Sequence, residues 1–202
     1  MKTCYIVGAG DFFGEILPKS EDTVIAADGG YDTLMRLGIR CDLLVGDMDS
    51  LRCGGSSIEK IKHPIEKDET DMMLCLIEGA KRGYSDFRIY GGVGGRIDHT
   101  FANFSLLLYA KNKSYNATLV ADGYEIFAVK NEKITVFSKP SKTFSVFAFG
   151  SEAKGVSIRN AKYCVENASL TPDFPLGVSN SFLSSPCEIE VMDGMLLVMK
   201  EI

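Results

Sequence analysis

The run TVIAADGGYDTLMRLGIRCDLLV, from Thr23 to Val45, decides the fold. Thr23 to Ala27 is a short apolar strand ending in Asp-Gly-Gly. Tyr31 to Leu37 reads as a helix stopped by Gly38, a residue suited to the left-handed position after a helix. Leu43 to Val45 is apolar again. Strand, helix and strand in turn imply parallel pairing, because the crossover returns the chain to the same edge.

The rhythm extends outward in both directions. Cys4 to Gly8, Phe87 to Tyr90 and Ala117 to Ala121 read as further strands. Asp71 to Arg82 reads as a helix capped by Thr70, with Met72, Cys75, Leu76 and Ala80 on one face before Gly83. Asp98 to Lys111 carries Phe101, Phe104, Leu107 and Leu108 at helical spacing. Past about Asp122 no helix is expected. Glu125 to Lys130, Lys133 to Phe137, Phe144 to Phe149, Gly155 to Arg159, Cys187 to Met192 and Met195 to Met199 read as short β segments. The expected class is α/β: a largely parallel sheet flanked by helices over residues 1–124, then a small antiparallel sandwich or barrel over 125–202.

Bulk properties narrow the function. The 202 residues suffice for one large or two small cores. A formal net charge of −5 without a basic stripe argues against a nucleic-acid partner, since phosphate neutralisation supplies much of that affinity. No apolar run reaches the roughly 18–20 residues of a membrane span. The N-terminal MKTCYIVGAGDFFGE meets glycines and acids too early for a signal peptide. Six scattered cysteines show no metal-like spacing and read as small core residues in a reducing cytoplasm.

Four motifs sit at or just past strand ends: AADGG (Ala26–Gly30), VGDMDS (Val45–Ser50), KDETD (Lys67–Asp71) and GGRIDH (Gly94–His99). Strand carboxyl ends form the ligand-binding rim of an open α/β sheet. Six aspartates on that rim repel one another unless a cation or ligand compensates. Asp47 and Asp49, two apart in an extended loop, point the same way and can share Mg²⁺, which favours hard oxygen donors. Turn hydrogen bonding is the alternative for that pair. Asp71 reads either as a third ligand or as an acid placed at a helix start by the macrodipole. Lys67 supplies a point charge for phosphate. In Gly91–His99 four glycines lead into a helix start, where backbone N–H groups meet anions, and Arg96 adds a planar fork. Gly8, Gly10 and Gly14 miss the dinucleotide spacing, although Ala9 and Gly10 can line a nucleotide pocket. His99 reads as structural.

In this order and at these intervals the four motifs resemble the thiamine pyrophosphokinase family, particularly its bacterial form. KGVSIRNAKYCVENASL (Lys154–Leu170) and PLGVSNSF (Pro175–Phe182) resemble its thiamine-binding β domain, and the strand around Met195 fits its close. The resemblance implies diphosphate transfer from ATP to thiamine, giving AMP and thiamine diphosphate, in a homodimer. Carried over by motif, Asp47, Asp49 and Asp71 hold Mg²⁺ with Asp28 close by. Asp28, Gly29 and Gly92 join Lys67, Asp68, Thr70 and Arg96 in binding ATP and its phosphates. Asp98 lies near the thiamine, and Ser179 and Asn180 contact it. Asp71, Asp98 and Arg96 form the catalytic set. The chain departs from the family pattern at Ser181, often Glu, and at Cys164-Val165, commonly Pro-Leu, and it contains no tryptophan. Two rivals remain at this stage: a Mg²⁺-dependent diphosphotransferase acting on another hydroxymethyl heterocycle, such as a pterin-like alcohol, and a non-catalytic nucleotide sensor.

Overall fold

The computed structural model describes residues 2–47, 58–63 and 68–202. The chain divides into two compact units, 1–122 and 123–202.

In the first unit, β1 (Cys4–Val7), β2 (Thr23–Ala27), β3 (Leu43–Gly46), β4 (Glu59–Lys62), β5 (Asp86–Tyr90) and β6 (Asn116–Ala121) form a sheet ordered β6-β5-β1-β2-β3-β4. Each of these neighbouring pairs is parallel. From β1 the order runs one way through β2, β3 and β4, and the other way through β5 and β6. The switch therefore falls between β1 and β5.

Both faces of the sheet are covered. Helix α1 (Gly30–Leu37) lays Tyr31 and Leu34 into a core with Val7, Val24, Ala26, Leu44, Tyr90 and Val120. Gly38 closes it at φ 67°, where glycine avoids a Cβ penalty. Helix α2 (Asp71–Lys81) covers the opposite face. A Cβ on its Gly79 would stand 2.8 Å from both Cys4 Sγ and Phe87 Cε1, so glycine lets helix and sheet approach. The Thr70 hydroxyl accepts the Met73 N–H at 3.2 Å, the expected cap. Helix α3 (Ile97–Asn112) packs on β6 and α2. Its buried residues are Asn103, Leu106, Leu107 and Ala110, whereas Phe101 is 61% exposed. The expected apolar stripe through Phe101 is thus rotated. The helix carries apolar residues on more than one side, and the sheet selects the face.

The second unit holds two antiparallel sheets. One runs β12 (Asn180–Ser181), β9 (Thr143–Ala148), β14 (Met195–Glu201), β7 (Tyr124–Lys130). The other runs β11 (Val165–Leu170), β10 (Ala153–Arg159), β13 (Cys187–Glu190), β8 (Lys133–Val136). Inward residues of both, among them Val129, Phe144, Val146, Val156, Ile158, Ile189, Leu196 and Val198, make one core. This is the layered β architecture expected from the succession of short β segments.

Cys4, Cys75 and Cys187 are buried as expected of small core residues, but Cys164 is exposed. Among the described residues no helix is long and apolar enough to cross a membrane.

Candidate active site

At the switch between β1 and β5 the chain leaves two adjacent strands through glycine turns, and these turns bond main chain to main chain. Gly8 N–H donates to Tyr90 O at 2.8 Å, Gly10 N–H to Gly91 O at 2.9 Å, and Asp11 N–H to Val93 O at 2.9 Å. A Cβ on Gly10 would lie 2.5 Å from Val93 O, and one on Gly91 would lie 2.3 Å from Gly8 O. Much of the glycine content is therefore spent on close backbone approach. The same turns bound a cleft of about 520 Å³, lined by Gly8–Gly10, Ala27, Asp28, Glu69–Met72, the glycine-rich turn through Arg96, and His99, Ala102 and Asn103 of α3.

Asp28 reaches the cleft from the end of β2. It stands at φ 44°, a left-handed conformation that aspartate tolerates better than most residues. The Asp28 N–H donates to Val45 O at 2.9 Å. A Cβ on Gly46 would come within 3.1 Å of Asp28 Cβ, so β3 ends against this residue, and Asp47 follows that end. Asp71 enters as the first residue of α2, where the N-terminal partial positive charge favours a carboxylate.

Arg96 lines the cleft and also makes a two-point pair with Asp98, Nε to Oδ1 at 3.1 Å and Nη2 to Oδ2 at 2.5 Å. The bond from Arg96 holds the Asp98 carboxyl below the ordinary aspartate range, aided by the His99 N–H. Both side chains are largely exposed, so water screens the pair and its contribution to stability is small.

Of the residues singled out from sequence, Asp28, Thr70, Asp71, Gly92 and Arg96 line the cleft. Gly29, Asp47, Asp68 and Asp98 are not part of its lining. Gly29 instead precedes α1, and a Cβ there would approach Ala9 Cβ at 3.2 Å. The Thr70 hydroxyl is engaged in capping α2. Asp49 and Lys67 lie outside the described residues. His99, read as structural, is in the lining, as are the expected Ala9 and Gly10. Asn103 was missed. It is 5% exposed, and its Nδ2 donates to Gly92 O at 2.7 Å. No local pattern pairs a helix asparagine with a turn eleven residues earlier.

In the second unit Ser179 is exposed at φ 60°, and its N–H donates to Ser145 Oγ at 3.1 Å. Asn180 is 5% exposed. Its Oδ1 accepts from the N–H groups of Tyr163 and Ser181 at 3.0 and 2.8 Å, and its Nδ2 donates to Tyr163 O at 2.7 Å. This amide is engaged inside its own unit, where it braces Tyr163.

Residues 15–119 match a family model described as thiamin pyrophosphokinase, catalytic domain. Residues 130–196 match a second, thiamin pyrophosphokinase, vitamin B1 binding domain. The chain belongs to the thiamin pyrophosphokinase family. It is 26% identical over 213 residues to the thiamine pyrophosphokinase of Bacillus subtilis (strain 168), covering 99% of each chain. The crystal structure of thiamine pyrophosphokinase from Bacillus subtilis superposes with a TM-score of 0.90 at 22% identity, covering 98% of both chains. Thiamin pyrophosphokinase from Candida albicans gives a TM-score of 0.76 at 14% identity, covering 99% of this chain and 90% of that one. The thiamin pyrophosphokinase catalytic-domain match contains the cleft residues from Ala27 to Asn103, while Gly8–Gly10 precede it. The vitamin B1 binding match contains Tyr163, Ser179 and Asn180.

Proposed function

We propose that the cleft between β1 and β5 receives ATP, with its phosphates over the glycine turns, and that the chain transfers diphosphate to the hydroxyl of thiamine. The single observation carrying this reading is the placement of Asp28, Asp71 and Arg96 around two main-chain glycine turns at the switch point. Ligands bind at such switch points in open α/β sheets. Matches to both thiamin pyrophosphokinase domain models support the substrate pair and disfavour the other hydroxymethyl heterocycle and the sensor.

The hydroxyl oxygen bonds to the β-phosphorus as the bond to the bridging oxygen of AMP breaks. The hydroxyl proton is released, and AMP and thiamine diphosphate leave. Such transfer depends mainly on positioning and charge stabilisation. Arg96 offers a fork to phosphate oxygens from the cleft wall, and Asp98 aims it. Asp71 presents its carboxylate from the start of α2.

The donor chemistry fits Mg²⁺. Asp28 and Asp71 line the cleft, and Asp47 follows the strand end that abuts Asp28. Among the described residues no three acidic, histidine or cysteine groups form a ready cage. Mg²⁺ is commonly held by one or two carboxylates together with substrate phosphates. Asp47, Asp49 and Asp71 would hold it, and when bound it neutralises charge on the phosphate oxygens.

Lys67 and Asp68 belong to the phosphate side of the reading. On the thiamine side Ser179 and Asn180 make contact, and Asn180 also braces Tyr163. A cytoplasmic homodimer completes the proposal, following the family resemblance.

Incubation of the purified protein with ATP, Mg²⁺ and thiamine, followed by mass spectrometry, tests it. Equal amounts of AMP and thiamine diphosphate are expected, neither forming without Mg²⁺. AMP alone, or no AMP from folded protein, refutes it.

A further inference from the structure

We propose that Asn103 is a positioning residue for the ATP side of the cleft, fixing the glycine turn that leads from β5 to α3. The inference rests on the reading of the cleft given above. Asn103 is one of few buried polar side chains and projects from the second turn of α3. Its Nδ2 donates to Gly92 O at 2.7 Å, and both residues line the cleft. The far side of the turn is fixed as well. A Cβ on Gly92 would meet Leu119 Cδ1 at 2.6 Å and Asn103 Nδ2 at 3.2 Å, so the turn is held between a side chain of β6 and the amide of α3.

Gly10 and Asp11 bond the turn on its β1 side, and Asn103 reaches it from the α3 side. Gly91, Gly94 and Gly95 all have positive φ, and a Cβ on Gly95 would meet nothing within 4 Å. Glycine in such a run is permissive and loses much freedom on ordering. A buried bond from a packed helix is an effective restraint, because it turns one carbonyl out of the set of alternatives. The carbonyl of Gly92, once fixed, sets the direction of the backbone toward Arg96. Arg96 and the turn then keep their place relative to Gly8–Gly10 on the opposite side. Displacements near 1 Å in such a site can cost about a hundredfold in rate.

Asn103→Asp tests this. The substitution keeps shape but sets a carboxylate oxygen against the Gly92 carbonyl in place of a donor. Steady-state kinetics should show kcat/KM for ATP falling by roughly 10- to 100-fold, with KM for thiamine changed less than twofold. Thermal melting of the same sample separates positioning from loss of fold. Asn103→Ser, whose hydroxyl is too short to span the distance, should show the same ATP-selective loss. Unchanged ATP kinetics in either folded variant overturn the inference, as does an equal rise in both KM values. Insolubility of both variants also overturns it, since the amide would then serve the fold. If the unmodified protein itself yields no thiamine diphosphate, the reading of the cleft fails and this inference falls with it. Normal turnover in the unmodified protein together with normal turnover in N103D removes the inference alone.

Discussion

Asn180 holds Tyr163 by both backbone groups, accepting from its N–H at 3.0 Å and donating to its C=O at 2.7 Å. A side-chain amide thus takes the place of a neighbouring strand where the ladder is interrupted. Tyr163 is left 59% exposed on a fixed backbone. Asn180→Ala should cost about 1–3 kcal/mol, the expense of leaving buried groups unpaired. Urea unfolding checks that figure. KM for thiamine should rise while KM for ATP stays near its starting value, and equal rises would contradict the division of labour.

Asp71 is the clearest test of the charge reading. Asp71→Asn preserves shape, and the change at the α2 N-terminus should cost no more than about 1 kcal/mol. Turnover should fall by about two to three orders of magnitude, as when one preorganised charge-stabilising group is lost. Near-normal turnover at limiting Mg²⁺ would remove Asp71 from the site.

Two glycines in one turn should behave differently. Gly95→Ala meets open space at φ 63° and should cost only about 1–2 kcal/mol, the penalty for a Cβ in the left-handed region. Gly91→Ala adds a Cβ placed 2.3 Å from Gly8 O, a main-chain atom that cannot swing aside. It should melt markedly lower and lose ATP binding by calorimetry. Similar melting for the two would show that the seam between the turns yields easily.

Acid should loosen the second unit through Glu201. Bonds from the Lys142 ammonium, the Thr143 N–H and the Thr143 hydroxyl hold its carboxyl below the ordinary 4.5, at about 2. A lowered folded value means the contribution is complete above 4.5 and is lost as pH falls toward 2. Glu201→Gln should therefore be less stable than the unmodified chain at pH 7. The difference should narrow across that window in denaturant titrations. A constant difference would show that the carboxylate charge is not involved.

The sequence pattern located β1, β2, β3, β5 and β6 to within about two residues because each is an apolar run buried in the sheet. It missed β4, whose EKIK is an exposed edge strand charged at three of its four positions. It also missed β11, VENASL, where polar side chains face outward and bulges break the register. The cleft positions of Asp28, Asp71 and Arg96 were legible because charge at strand ends is unusual without a ligand. Asn103 was not, since a buried amide is recognised only by its partner. The bracing of Tyr163 by Asn180 was illegible for the same reason: a Ser-Asn pair looks alike whether or not its amide bonds its own chain.

The seam between the two glycine turns also sets an order of events in synthesis. Gly8, Gly10 and Asp11 donate to carbonyls about eighty residues further along. A nascent chain that has not yet released residues 90–93 possesses β1, β2 and the DGG turn but no floor for a nucleotide. On the proposed reading of the cleft, capture of ATP waits for the fifth strand to slot in beside the first, and nucleotide is no template for the earliest folding steps of this chain.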